Sequence, residues 1–321
     1  MVYQGTVWGP PFWNAFFEDA RLAVQAKGFW DTFFADDLNC YQCYPAATDN
    51  AAIEADLKAC QQELHRWGAA NQVEFDPGKE SYHVLGRRDA TAGDFKLLGV
   101  CFDTALTMQA ESSELTREAG WRLRTLLKTK HWHTTAELVR LYKAHVLPYL
   151  EHATPALYHA TKTTLEPLRR LQQRFLREVG LTQEDALLQH NLAPLSTRRD
   201  VALLGVVHRT VLGLGPPHFR KWFFPAAQRI HRNCTRSSSS QHPHQLHDYL
   251  DGTHSELLKR SPLGLTRVYN QLPAEAVAAS IVSHFQHQLQ EQVKSALRGG
   301  RNDWELLLSP RRVGYGHERH D

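Results

Sequence analysis

The chain has 321 residues, 42% of them hydrophobic and 22% charged, with a formal net charge of +3. That composition excludes global disorder, and the length allows a substantial core or two domains. No run approaches the roughly 20 apolar residues that a membrane helix needs, so no membrane partner is expected. The N-terminal region carries an acidic pair, Glu18-Asp19, and lacks the basic-then-apolar pattern of a signal peptide. Cys40, Cys43, Cys60, Cys101 and Cys234 are odd in number and scattered. Such usage suits reduced thiols, and an intracellular protein is expected.

Charge is divided unevenly along the chain. Residues 1–119 hold 9 Lys/Arg and 18 Asp/Glu, residues 120–236 hold 19 and 7, and the remainder 9 and 9. An acidic third followed by a basic third suits a module that grips metal beside one that grips phosphates. Ordinary drift of composition between two domains explains the same division.

In chain order, a helix is predicted from near Pro10 to about Lys27. The run from Gly28 to Tyr44 then reads as two short strands around Asp36-Asp37, with apolar and aromatic residues on both sides. Ile53, Leu57, Cys60, Leu64 and Trp67 recur at spacings of three and four, which predicts a helix over about 49–70. Strands are predicted at 73–75, before the Pro77-Gly78 turn, and at 82–85 and 95–103. From Ser112 the period becomes helical. Helices are predicted over 112–129, 134–150, 164–179 and 197–213, the last opened by a capping run from Ser196 to Asp200. The low-complexity run 235–247 makes 235–250 a predicted flexible linker, and a helix around 277–297 follows.

Adjacent carboxylates at a hairpin tip offer hard oxygen ligands to Mg²⁺ or Mn²⁺. An acid pair by itself is equally what a solvated turn carries, so the flanking residues decide. Phe34-Ala35-Asp36-Asp37 between two apolar strands resembles the metal-binding hairpin of a reverse transcriptase palm. Gln4-Gly5-Thr6 followed by Pro10 resembles the segment that packs under the templating base and incoming nucleotide. Phe75-Asp76-Pro77-Gly78-Lys79 resembles the turn that carries a lysine near the nucleotide phosphates. Leu97-Leu98-Gly99 resembles the hairpin that grips the primer end in retrotransposons lacking long terminal repeats. Four motifs in this order over about 100 residues are more specific than any one of them. The departures are Phe34 where Tyr is commoner, and Asp76-Pro77-Gly78-Lys79 where Asn-x-x-Lys is more usual. Leu138 to His152 and Leu168 to Arg177 resemble segments of the same family's thumb.

The resemblance implies an α+β chain. A partial polymerase palm would fill 1–110, as a small antiparallel sheet with packed helices. An all-α thumb would fill 111–234, with the linker at 235–250 and a small helical C-terminal element at 251–321. It implies an RNA-directed DNA polymerase, a nucleotidyltransferase working by two-metal phosphoryl transfer. Asp36 and Asp37 would be the catalytic metal ligands, with Mg²⁺ or Mn²⁺ as cofactor. Gln4, Gly5 and Lys79 would contact template and nucleotide, and Leu98 and Gly99 would grip the primer. The implied partners are an RNA template, a DNA primer, their RNA–DNA duplex and a dNTP. The family's fingers and a further palm aspartate would precede Gln4, where three residues stand, so a truncated chain without polymerase activity is expected.

In the helix predicted from 164, Leu168, Leu171, Phe175 and Val179 form one face, and Arg170, Arg174 and Arg177 form another. Such a basic face is either solvated or tracks a nucleic-acid backbone. Arg122, Arg124, Lys128 and Lys130 offer a second one. Cys40-x-x-Cys43 lacks the following His and Cys of a zinc knuckle, and reduced thiols are expected there. The opposing class is a non-catalytic nucleic-acid-binding remnant or interaction protein.

Overall fold

The computed structural model describes residues 6–85, 93–226, 242–250 and 256–311. Gln4, Gly5 and Cys234 lie outside them. The chain divides into two compact units, residues 1–84 and 85–321.

The first unit holds α1 (Gly9–Ala26), an antiparallel hairpin of β1 (Trp30–Phe34) and β2 (Asp37–Tyr41), and α2 (Asn50–Asn71). Pro10 and Pro11 open α1, where their missing N–H groups cost nothing. Asp49 caps α2, its carboxylate accepting from the Ala51 amide at 3.0 Å. Strand alternation puts Asp31 and Phe33 toward the interior, opposite Cys40 and Leu38, and leaves Trp30, Thr32 and Phe34 outside. The core gathers Phe17, Ala20 and Val24 of α1, Phe29, and Ile53 and Cys60 of α2.

The strands predicted at 73–75 and 82–85 do not form. Gln72 ends α2 in the left-handed region and the chain folds back onto the helix. The Val73 amide bonds the Gly68 carbonyl at 2.9 Å, and the Phe75 ring occupies the space a Gly68 side chain would need. Farther along, Glu80 accepts from Gln61 and lies 2.7 Å from His65 Nε2, and the Tyr82 hydroxyl donates to Glu54 at 3.4 Å. The segment is thus held to α2 chiefly by side-chain contacts rather than by a strand ladder. Among the described residues there is no single palm-like sheet, only two separate two-stranded ones.

The second unit begins with the other hairpin, β3 (Phe95–Leu97) and β4 (Val100–Phe102). The expected domain boundary at 110 falls inside this unit. Glu111, buried in the first turn of α3 (Gln109–Lys128), accepts the Cys101 amide at 2.7 Å and ties β4 to that helix. Val100 and Phe102 pack on the core that α3 shares with α4 (Thr135–His145), α5 (Leu147–Glu151), α6 (Thr154–Leu157), α7 (Lys162–Glu178) and α8 (Gln183–His190). The helix predicted over 134–150 breaks at Val146, because Pro148 has no amide to continue the ladder. Its start keeps the reciprocal Thr134–Glu137 capping box.

A second core joins α9 (Leu195–Val211), past α10 (Glu256–Arg260), which buries no residue, to α11 (Leu265–Asn270), α12 (Ala274–Val277) and α13 (Val282–Arg298) through Leu204, Val207, Leu265, Tyr269, Val277, Phe285 and Leu289. The C-terminal helices therefore share a core with α9 rather than standing as an element of their own. Ser196 does not cap α9, which starts one residue earlier. The Leu195 amide is satisfied by the buried Gln172 side chain of α7 at 3.1 Å. The predicted linker is packed where it is described. His242, Leu246 and Leu250 are buried, the Leu246 amide and carbonyl both bond the Asn270 side chain, and Asp248 pairs with Arg267. The low-complexity residues 235–241 lie outside the described residues.

Candidate functional site

The acid pair sits at the β1–β2 turn. Ala35 and Asp36 form the turn, and Asp37 opens β2 directly opposite Phe34. Ala35 takes φ +55°, the left-handed region that a tight two-residue connection demands. Its carbonyl accepts from Trp13 Nε1 at 2.9 Å, so α1 holds the tip directly. Trp13 is itself stacked on Phe17 at 5.1 Å, and Phe17 meets Phe33 edge-on at 5.0 Å. An aromatic stack thus runs from the α1 core to the turn that carries the acids. Asp36 and Asp37 are both exposed, and neither has a cation within ion-pair distance among the described residues.

Asp31, six residues before Asp37 on the same hairpin, is used differently. Its carboxylate accepts from Arg21 Nε at 2.7 Å and Gln25 Nε2 at 2.6 Å. It is a structural acid that fastens β1 to α1. Asp103 is structural too: it accepts the Thr107 and Met108 amides at 2.8 and 2.7 Å in the turn before α3. Burial works against its charge, but those hydrogen bonds prevail and hold the carboxyl below its ordinary range.

Lys79 projects from the 76–79 turn, 84% exposed, with Nζ 3.9 Å from Asp76 Oδ2. Leu98 and Gly99 form the β3–β4 turn at φ +48° and +81°. Leucine is uncommon there, and its side chain is 56% exposed at the hairpin tip. Asp36, Asp37 and Lys79 belong to the first unit; Leu98, Gly99 and the arginines belong to the second.

Helix α7 buries Leu168 and Phe175, half-buries Leu171 and Val179, and exposes Arg170, Arg174 and Arg177, as the periodicity predicts. Two features escaped the sequence. Gln172 is buried within the apolar face, where its Nε2 donates to the Ala193 carbonyl at 3.0 Å. Arg170 shares Glu166 with Arg169, at 3.2 and 2.8 Å, so its charge is partly spent within the helix. On the other basic run, Lys130 pairs with Glu178 at 2.8 Å and the Arg122 guanidinium lies 3.7 Å from the Tyr149 ring centre.

Other side chains of metal-ligating type make contacts of their own. His242 Nε2 bonds the Tyr269 carbonyl at 2.9 Å, and His247 stacks on Phe224. Cys40 and Cys60 are free thiols that hydrogen-bond each other, which raises Cys40 and lowers Cys60. No group of three or more His, Cys, Asp or Glu side chains placed to hold a metal occurs among the described residues.

No family model matches the chain, and no solved structure matches it. Among curated proteins it is similar to the RNA-directed DNA polymerase from mobile element jockey of Drosophila funebris, 25% identical over 202 residues. That match takes in 56% of this chain and 22% of the other protein, so the chain spans under a quarter of its relative's length. The chain is thus related, distantly and over part of its length, to a reverse transcriptase.

Proposed function

We propose that the chain is a reverse-transcriptase-like module, with the metal-binding acids of a palm at the β1–β2 turn and a basic helical unit that holds an RNA–DNA duplex. One observation carries most of the weight. Asp36 and Asp37 are exposed and without ion pairs on a turn anchored to α1, while the neighbouring Asp31 is fully engaged. A fold that merely needed turn acids has no reason to brace this tip with a tryptophan hydrogen bond. The similarity to a jockey-element polymerase points the same way.

The donor set does not fit a two-metal centre. Two-metal phosphoryl transfer needs carboxylates that bridge both ions and align the attacking 3′-oxygen. Two hairpin carboxylates hold at most one hydrated Mg²⁺, weakly, since affinity for hard ions rises with the number of charged ligands. Polymerase chemistry in this reading requires a further carboxylate beyond the described residues. The lack of a third ligand beside Asp36 and Asp37 among the described residues favours, as the second reading, a nucleic-acid-binding protein without catalysis.

Primer extension and duplex binding separate the two. Purified chain should bind an RNA–DNA duplex with little sequence preference and steep salt dependence. Primer extension on an RNA template, abolished by Asp36→Asn, would show the metal site completed and would establish catalysis. Lack of any duplex binding at low salt would refute the first reading, and lack of binding to any nucleic acid would refute both.

A further inference from the structure

We infer that the solvent face of α3, continued by the turn after it, is a stacking platform for a single-stranded nucleic acid. The face is built by helical period. Leu115, Ala119, Leu123 and Leu126 go into the core, and Arg117, Trp121, Arg124 and Lys128 recur on the opposite side at spacings of four, three and four. The stripe runs about 16 Å along the helix at 1.5 Å per residue. Just beyond it, a short 3-10 turn (Lys130–Trp132) leaves Trp132 79% exposed, and Trp121 is 56% exposed in the middle of the stripe.

Two observations point to one occupant. A lone exposed apolar residue is unremarkable. Here two tryptophans, the largest apolar side chains available, are left to water within eleven residues of one another. From Ala119 to Ala136 the sequence has four Lys/Arg, two His and no Asp or Glu, although Glu178 reaches Lys130 and Glu118 pairs with Arg117. A protein partner with an apolar surface would be served by the tryptophans but not by the cations. A duplex backbone would be served by the cations but has no unstacked bases for the indoles. A single strand offers both, with phosphates for the cations and open base faces for the rings.

The exposed tryptophans separate this surface from the α7 face, which has none. On the α3 surface Arg124 and Lys128 have no ion-pair partner among the described residues, while Arg117 pairs with Glu118 and Lys130 with Glu178; on α7 Arg170 is tied to Glu166. Arg122, stacked on Tyr149, stiffens the base of the stripe beside Trp121. The assignment does not depend on polymerase chemistry.

The test uses the full chain and two fluorescein-labelled probes, a 20-nucleotide polyuridylate and a 20-base-pair RNA–DNA duplex. Trp121→Ala and Trp132→Ala should each weaken polyuridylate binding about 5- to 100-fold, and Trp121→Phe should restore most of the loss at that site. Arg124→Gln with Lys128→Gln should lower the log–log salt slope for polyuridylate by about 1.4. Duplex binding should change by less than threefold in the tryptophan variants, whose exposed positions leave the fold unchanged by circular dichroism. Unchanged polyuridylate affinity in both alanine variants overturns the inference, as does an equal loss on the duplex. Polyuridylate binding by a chain that ignores the duplex would refute the reading under Proposed function and leave this one standing.

Discussion

Ala35 offers the sharpest test of how the candidate metal turn is built. An L-residue in the left-handed region costs about 1–2 kcal/mol, because its Cβ crowds the following carbonyl. Ala35 bears that cost at φ +55° while its own carbonyl is held by Trp13 Nε1 at 2.9 Å, a bond worth about 0.5–1.5 kcal/mol. Glycine at this position escapes the crowding but loses about 0.4–1 kcal/mol through the freedom it gives the unfolded chain. Ala35→Gly should therefore stabilise the hairpin by about 0.5–1 kcal/mol. Ala35→Val adds a branched Cβ to the same conformation and should destabilise it by at least about 1 kcal/mol. The two variants move in opposite directions although neither touches a carboxylate.

Amide hydrogen exchange reads this directly, since local opening of the hairpin sets the rate. At tenfold per 1.4 kcal/mol, amides of β1 and β2 should exchange about two- to fivefold more slowly in Ala35→Gly and at least about fivefold faster in Ala35→Val. The helices of the second unit should not respond. Equal hairpin exchange in both variants and the native chain would mean the turn is not strained and the conformation is not imposed by the tip.

Other predictions follow from single contacts. Gln172→Leu strands the Ala193 carbonyl and the Leu195 amide, so the second unit should lose about 2–4 kcal/mol, seen as a lower urea midpoint at unchanged slope. Gly264→Ala would place a Cβ 2.1 Å from the Lys259 carbonyl oxygen and should cost about 1–3 kcal/mol in the same assay. Asp200 is enclosed in the core with the Tyr158 hydroxyl at 2.6 Å, and burial pushes its carboxyl up to about 7 despite that bond and the nearby Arg311 and Arg199. Between the unfolded value of 3.8 and about 7 the folded chain binds the extra proton, so stability falls as pH rises through that window. Asp200→Asn keeps a partner for Tyr158 and removes the titration; its stability relative to the native chain should rise from pH 4 to pH 7, and a flat difference would show Asp200 ionised throughout. Calorimetry should find Mg²⁺ binding no tighter than millimolar, and micromolar binding lost in Asp36→Ala would contradict the incomplete donor set.

What could be read in advance was what is local. The β1–β2 hairpin, α1, α2 and the buried face of α7 follow from alternation and helical period within one segment. What escaped depended on partners distant along the chain. Val73 to Phe75 has strand composition, but Gly68 leaves a gap that Phe75 fills, and Glu80 and Tyr82 find their partners on α2 rather than on a neighbouring strand. Gln172 looks like a surface residue until α9 brings the Leu195 amide to it. The run after residue 241 resembles a linker by composition, yet Asn270 supplies both bonds that Leu246 needs.

The same limit applies to charge, and it changes which surface matters. Helical period alone ranks the α7 arginines first, since three of them align over two turns. Ion pairing reorders them: Glu166 draws on Arg170, and Arg174 and Arg177 help hold Glu178 below its ordinary range after Lys130 has done most of that. A cation already near a carboxylate gains less from a phosphate, because part of its field is answered and the new contact must compete with the old one. Arg124 and Lys128 carry no such debt among the described residues, and Trp121 stands between them. The two basic faces should accordingly respond differently to salt and to strandedness, with α7 following duplex and α3 following open bases. One surface acting in both roles would lose both at once in either set of variants, and that joint loss is the outcome that the exposed Trp121 and Trp132, with no counterpart on α7, argue against.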